Sequence, residues 1–578
     1  MILQLTNIKD KKISADLHLG SWCFDLINEH NKKKIHNYHW SSLDKFTEDS
    51  YLIFSIYEKT LKVISNKLND IHNYDRDIDY WQKIIGPWLL FFVSVIFERY
   101  ENLNSLKNKK NIVTYIPHYN IKDWIPLDFV DFEDMISRDD WNLFIYSEII
   151  KDLEIINYKY SDQKLINQNL YKRKKEKLSK KVIKSLVYYA SKLIPEKYRD
   201  ICLIETDLKF LKLCEIQTKF KKYPFQYYIR EITDKSKINL ALRNNKYEHE
   251  LKNDTEVVRL ICRLLIKNLP IAYLESFKKN KKRALSFFPK NPKFILTSMG
   301  HLSNELFKIW IAEQSLLKKK ICISVHGAHH SNSLFNHPGM FSEIISDTFF
   351  SWGWTKNILS SSKLSELKKN KNDYKYNKNE TKICFVVYSG NKYSGSISAA
   401  PTSTNFLESL DIQKKFFCNI NKKLLDNTTI RLREVSKTWE LNTFYKSLGI
   451  NKFSYLETES LKKLVSKNSL FIFSYESTLF FELLTLNIPS ILLNEERFWR
   501  LNKSGKADYN NLREVNILYD SFYKLSDFVN NNNIDSINKW WLNDNTQRIK
   551  NSFLEKNARS NENYINEWIN TIKKNINK

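Results

Sequence analysis

LFIFSYESTLFFELLTLNIPSILL, from Leu470 to Leu493, decides how the fold is read. LFIFS (470–474) is a short apolar run that predicts a strand. STLFFELLTLN (477–487) carries apolar residues at helical spacing, and IPSILL (488–493) reads as a second strand. Strand, helix and strand joined by short turns form a βαβ unit, which requires a parallel sheet.

The same grammar extends outward. KICFVVY (382–388) and TTIRLRE (428–434) read as strands, SGNKYSG (389–395) as a loop and LKKLVSK (461–467) as a helix. Upstream, KFILTS (293–298), a helical stretch over 304–320 and ICISV (321–325) make another βαβ unit. ICISV ends abruptly at His326-Gly327, and DTFFSWGW closes at Trp354. Residues 357–380 are polar and aperiodic, which marks a linker. The chain is therefore read as α/β. Its parts are an N-terminal domain over 1–360 with helical insertions around 160–285, a linker over 357–380, a second domain over 381–535 and C-terminal helices over 536–578. Tyr51 to His72 and 131–156 predict helices, and Asn111 to Pro117 predicts a strand. Residues 162–195 are Lys-rich and read as a helix with a solvated face.

In 578 residues, 42% apolar and 14% aromatic content supply a large core, which excludes wholesale disorder. Only 10 Gly and 11 Pro exclude collagen-like or linker-dominated chains. The net charge of +27 raises the question of nucleic acid. Lys and Asn are abundant throughout and Arg is scarce, whereas base edges are read best by Arg, so no nucleic-acid partner is expected. Such a surface is still drawn to anionic lipid. The seven cysteines are scattered without a C-x-x-C pair, which fits a reducing compartment and no zinc site. The N-terminus shows no signal-peptide pattern. The longest apolar run, Ile84 to Phe97, is shorter than the roughly 20 residues of a membrane span. It reads as a buried helix with Pro87 near its first turn. A cytoplasmic protein follows as an expectation, with peripheral contact at the anionic inner face of the membrane.

Ligands of parallel sheets bind beyond the carboxyl ends of the strands, and three spots fall there. At the first, Gly327 permits a tight turn, and His326 suits a general base or a phosphate contact. The alternative is a loop histidine at a sheet edge. His329 and His330 follow, with no carboxylate or Cys at metal-ligand spacing. At the second, Ser477 and Thr478 stand where a strand turns into a helix, where hydroxyls and free N–H groups suit phosphate. An ordinary N-cap is the alternative. Glu482 is placed to reach a sugar hydroxyl or to pair with a Lys. At the third, Ser389, Gly390, Ser394 and Gly395 are small where a ligand needs close backbone approach. Arg431 and Arg433 alternate on one strand, either to grip phosphate or to face solvent. Most tryptophans read as core, with Trp352 and Trp354 as candidates to line an acceptor groove.

Several motifs carry a family resemblance. They are Tyr80-Trp81-x-x-Ile84-Ile85-Gly86-Pro87-Trp88-Leu89, Trp310-x-Ala312-Glu313, His326-Gly327, and Asp347 with Trp352-Gly353-Trp354. Ser477-Thr478 with Glu482, Asn487-Ile488-Pro489 and Trp540-Trp541 complete the set. Together they resemble the leptospiral-type transferase family of surface-polysaccharide (O-antigen) gene clusters. More distantly the chain is similar to GT-B teichoic-acid glycerophosphotransferases and capsule sialic-acid or Kdo transferases. The resemblance implies a GT-B-like fold, two Rossmann-like domains facing a cleft. It implies a metal-independent glycosyltransferase without cofactor, using a nucleotide-activated sugar as substrate, with a CMP-linked acidic sugar as one candidate. The acceptor would be a lipid-linked or growing glycan. His326 would act from the first domain, with Gly327, His329, Trp352 and Trp354 toward the acceptor. Ser477, Thr478, Glu482, Arg431, Arg433, Ser389 and Gly390 would hold the donor from the second. The loop reads Ala328-His329-His330 where such enzymes carry a glycine-rich turn. The alternatives are a polyol-phosphate transferase on the same fold and a non-catalytic basic scaffold or nucleic-acid binder.

Overall fold

The computed structural model describes residues 1–576 apart from 10–12, 26–33, 110, 168–181, 183–185, 187–188, 191–192, 225–234, 244–252, 328–329 and 434–438. Most of the helix read over 162–195 therefore lies outside the described residues, as do His329 and Glu434.

The chain divides into two compact units. The first comprises Met1–Ile323, Met340–Thr348 and Lys392–Ile397; the second comprises Ser324–Gly339, Phe349–Asn391 and Ser398–Lys578. The stretch 357–380, read as a linker, carries the helix Ser362–Lys369, which buries Leu364 and Leu367 in the second unit. Two leucines three residues apart are enough to dock one turn, and the surrounding Ser and Lys hide that signal.

Three sheets carry the α/β architecture, with ten parallel strand pairings among the described residues. One sheet contains β1 (Ile2–Gln4), β2 (Leu17–His18), β3 (Val113–His118) and β4 (Asn157–Lys164), in the order β2-β1-β3-β4. Residues 162–164, read as helical, thus belong to a strand. Another contains β5 (Ile201–Ile204), β6 (Phe294–Thr297), β7 (Ile321–Ser324) and β8 (Thr348–Phe350), in sequence order. Long helices fill out the first unit. Leu43–His72 starts at the cap Ser42 and stops at Asn73, which takes a left-handed φ of 58°. Ile78–Asn104 starts at Asp77, whose carboxylate accepts from Tyr80 N at 2.8 Å. Pro87 therefore lies inside this helix, not in its first turn, because the Asp77 cap sets the start farther upstream. The helix is long and apolar enough to cross a bilayer, yet most of it is packed inside the protein. Trp81 and Trp88 are fully buried on it.

The second unit holds β9 (Ile383–Val386), β10 (Thr428–Leu432), β11 (Lys452–Tyr455), β12 (Leu470–Phe473), β13 (Ser490–Leu493) and β14 (Leu518–Tyr519). Their spatial order is β11-β10-β9-β12-β13-β14. Counted within the sheet this is 3-2-1-4-5-6, the order of a doubly wound Rossmann sheet. Side-chain alternation sorts the strands cleanly. Ile383, Phe385, Ile430, Leu470 and Ile472 pack into one core layer, while Cys384, Val386, Phe471 and Phe473 pack into the other. Both faces are covered, which is why these strands read as unbroken apolar runs. The strand order reverses between β9 and β12, so their carboxyl ends define the crevice where such sheets bind ligands.

Candidate functional site

At that reversal the turns after β9 and β12 are tied together. Ser474 N donates to Val386 O at 3.0 Å, and Tyr388 N donates to Ser474 Oγ at 2.9 Å. Ser477 then caps the helix Thr478–Thr485, its Oγ accepting from Phe480 N at 3.2 Å. The hydroxyl thus serves as an N-cap, and the remaining first-turn N–H groups carry the positive end of the helix dipole.

The His326-Gly327 turn comes to the same place. A Cβ on Gly327 would lie 3.6 Å from Thr478 Oγ1, so the two are immediate neighbours. The resemblance puts His326 in the first domain; the structure groups it with Ser477 and Thr478 in the second unit. The reason is the latch that follows. Leu334 N donates to Arg500 O at 2.7 Å, and Asn502 N donates to Asn332 O at 2.9 Å. Glu476 Oε2, buried, accepts from Asn332 Nδ2 at 3.0 Å and from Tyr509 Oη at 2.9 Å. Gly505 completes the fit, since a Cβ there would meet Asn332 O at 2.5 Å.

The charges around this turn have clear sources. The His326 imidazole reaches solvent, yet the protein around it lowers its pKa, and the ammonium of Lys363 lowers it further. Lys363 Nζ pairs with Glu482 Oε1 at 2.5 Å. Burial raises the Glu482 pKa, opposed by Lys363 and then by Arg431. Lys363 therefore stands near both His326 and Glu482, and of the two roles read for Glu482 the structure shows pairing with a Lys. His330 lies deeper, its ring against Gly339. Desolvation, then the neighbouring His326, holds His330 down to about 4, so it is neutral near pH 7.

Other positions need correction. Arg431 is 5% exposed and faces inward, where Nη1 donates to Ser454 Oγ at 2.6 Å and Tyr455 O at 3.1 Å. Its Nη2 donates to Glu459 O at 3.2 Å, so its guanidinium is committed to the fold. Arg433, beyond the end of β10, is exposed. Its charge opposes the burial that raises the Tyr388 and Tyr475 phenols, which puts it beside that pair. The rings of Tyr388, Tyr475 and Trp499 cluster there, with centroids 5.1 to 5.9 Å apart. Gly390 has a packing reason, because a Cβ would meet the Phe406 ring at 2.4 Å. Ser389 stays half-buried beyond β9. Ser394 and Gly395 belong to the first unit. Trp352 is buried and so lines no groove, while Trp354 is half-buried.

The second unit thus assembles His326, Gly327, Ser477, Thr478, Glu482 and Lys363, with Arg433 at the carboxyl end of β10. Sequence reading missed Lys363, Asn332, Glu476 and Tyr475. Tyr475 and Glu476 were within the motif itself, flanking Ser477, whereas nothing in 357–380 singles out one Lys among many. The arrangement offers helix N–H donors, hydroxyls and cations to an anion, and an imidazole to take a proton. The profile of the LIC12162 family transferase matches residues 1–572. No curated protein matches the chain.

Proposed function

The chain belongs to the LIC12162 family of transferases, and from that premise we propose that it moves a sugar from a nucleotide-activated donor onto a surface-polysaccharide or O-antigen acceptor. One observation carries the reading: the His326-Gly327 turn abuts Thr478 at the start of a helix, at the carboxyl edge of a sheet in Rossmann order. Such an edge is where nucleotides bind in folds of this order.

In this reading the helix start, Thr478, Lys363 and Arg433 hold the donor phosphates. As the bond from the sugar to phosphate breaks, charge grows on the leaving phosphate, and donors fixed in place stabilise it most. His326, neutral because its pKa is lowered, accepts the proton of the acceptor hydroxyl as the new glycosidic bond forms. Arg431 takes no direct part. Ser477 acts through its cap, holding the helix start in position.

A thermal-shift screen of the full chain against CMP-, CDP-, UDP- and GDP-linked sugars tests this. A ligand that binds only the folded state raises its stability by RT ln(1 + [L]/Kd). The expected result is a clear rise for one nucleotide class, CMP-linked acidic sugars being the first to try, and a blunted rise in Thr478→Val. No response to any nucleotide, or an equal response in Thr478→Val, overturns the assignment.

A further inference from the structure

Where β3 and β4 end, the first unit carries an aromatic surface that the transfer chemistry does not use. β4 is an edge strand of its sheet. Ile116 stands opposite Tyr160, yet His118 stands opposite Lys164, so the register shifts and β4 bulges there. Pro117 lies at the bulge and has no N–H to give to the ladder. Bulges re-aim side chains, and here His118 and Tyr160 stack, with ring centroids 4.7 Å apart and planes 7° from parallel. Tyr160 is 50% exposed, and His118 is exposed as well. Tyr158 meets Tyr160 edge-on at 5.9 Å. Polar groups flank the stack. Tyr119 Oη donates to Glu148 Oε1 at 2.5 Å and accepts from Lys151 Nζ at 2.7 Å. Both partners project from the helix Asp139–Leu153 and are partly exposed. Lys151 Nζ lies 4.1 Å from the centroid of the Tyr119 ring and 5.8 Å from that of Tyr160.

We propose that the His118–Tyr160 stack, with Glu148 and Lys151 beside it, is a subsite for one sugar unit of a glycan. The inference rests on the acceptor reading for its substrate class and needs nothing from the donor site. The chemistry of the side chains chooses the occupant. A pyranose ring offers C–H groups to an aromatic face, while its hydroxyls both donate and accept hydrogen bonds. Glu148 supplies an acceptor and Lys151 a donor, and their opposite charges offset each other. That pairing suits a neutral, polyhydroxylated ligand. A nucleobase can also stack on an aromatic ring, but single-stranded nucleic acid needs a cationic groove for its backbone. Here its phosphates would meet the Glu148 carboxylate, and none of these side chains is an arginine.

Binding of the full chain, without nucleotide, to immobilised neutral oligosaccharides tests this. The probes are oligosaccharides built of hexose, deoxyhexose and N-acetylhexosamine units. The expected result is binding to at least one of them, little changed by added salt because no ligand charge is involved. Tyr160→Ala should weaken that binding by about tenfold. Tyr160→Phe should keep it, because the ring and not the hydroxyl makes the stack. The Tyr160 side chain is exposed at a sheet edge, so an unchanged melting temperature is expected in both variants and serves as the folding control. The nucleotide-dependent thermal shift should be the same in Tyr160→Ala as in the unaltered chain, which keeps this test apart from that of the donor site. Binding to none of the oligosaccharides, or equal binding by Tyr160→Ala, would overturn the proposal. Preference for a single-stranded RNA oligonucleotide over every glycan would overturn it as well.

Discussion

In the proposed reaction, His326 and Lys363 carry the chemistry at the scale of single residues. Burial, then Lys363, lowers the His326 pKa, so it stays free base to lower pH than an ordinary histidine. The acid limb of the transfer profile should therefore lie below that of an unperturbed histidine near pH 6.5. His326→Gln should abolish turnover while the nucleotide-dependent thermal shift persists, measured on one preparation. Lys363→Met leaves the Glu482 carboxyl buried without its partner, so it should lower stability by about 1–3 kcal/mol in denaturant melts. Adding Glu482→Gln should recover that stability without restoring the ligand response. A second effect follows from His330, held at about 4 by burial. The unfolded chain binds a proton that the folded one refuses between pH 6.5 and about 4. Stability is thus full above this window and falls as pH drops through it, by on the order of 2–3 kcal/mol for this group. His330→Gln should flatten the pH dependence of the melting temperature by that share if the fold is kept. These roles were only partly legible. His326 and Thr478 announced themselves at strand ends, whereas the inward turn of Arg431 depends on Ser454 and Glu459, which no local pattern reveals.

Strands and helices were legible where burial on both faces made short apolar runs, as in 382–388 and 470–474. β2 and β14 span two residues each, and so little chain carries no periodicity. The helix Ile78–Asn104 was recognised as buried but placed too late, because an apolar run reports packing and a cap reports the start. The latch on the histidine turn belongs to this scale too. Helix Lys503–Glu514 accepts the turn only because residue 505 has no side chain. Gly505→Ala should force the Asn332 backbone outward and cost about 1–3 kcal/mol in thermal or denaturant melts. It should also weaken nucleotide binding by displacing the turn. Stability lost with binding unaltered would separate the latch from the site.

At the scale of the whole molecule, the sequence read as two consecutive α/β domains, and the compact units are instead interleaved in sequence. Composition says nothing about that, since the exchanged segments 324–339 and 392–397 differ little from their neighbours. The parallel pairing is what the βαβ reading requires, and the Rossmann order in the second unit brings scattered motifs to one sheet edge. Despite the net charge of +27, no nucleic-acid partner is expected: binding to nonspecific DNA should be weak at physiological salt in a filter or polarisation assay, and tight binding there would favour the nucleic-acid-binder alternative.

Hydrogen–deuterium exchange with and without the nucleotide that gives the largest thermal shift bears most directly on the central claim. The account predicts slowed exchange in peptides covering 325–327 and 476–483, both within the second unit. Protection confined to other peptides, with these two unchanged, would contradict it.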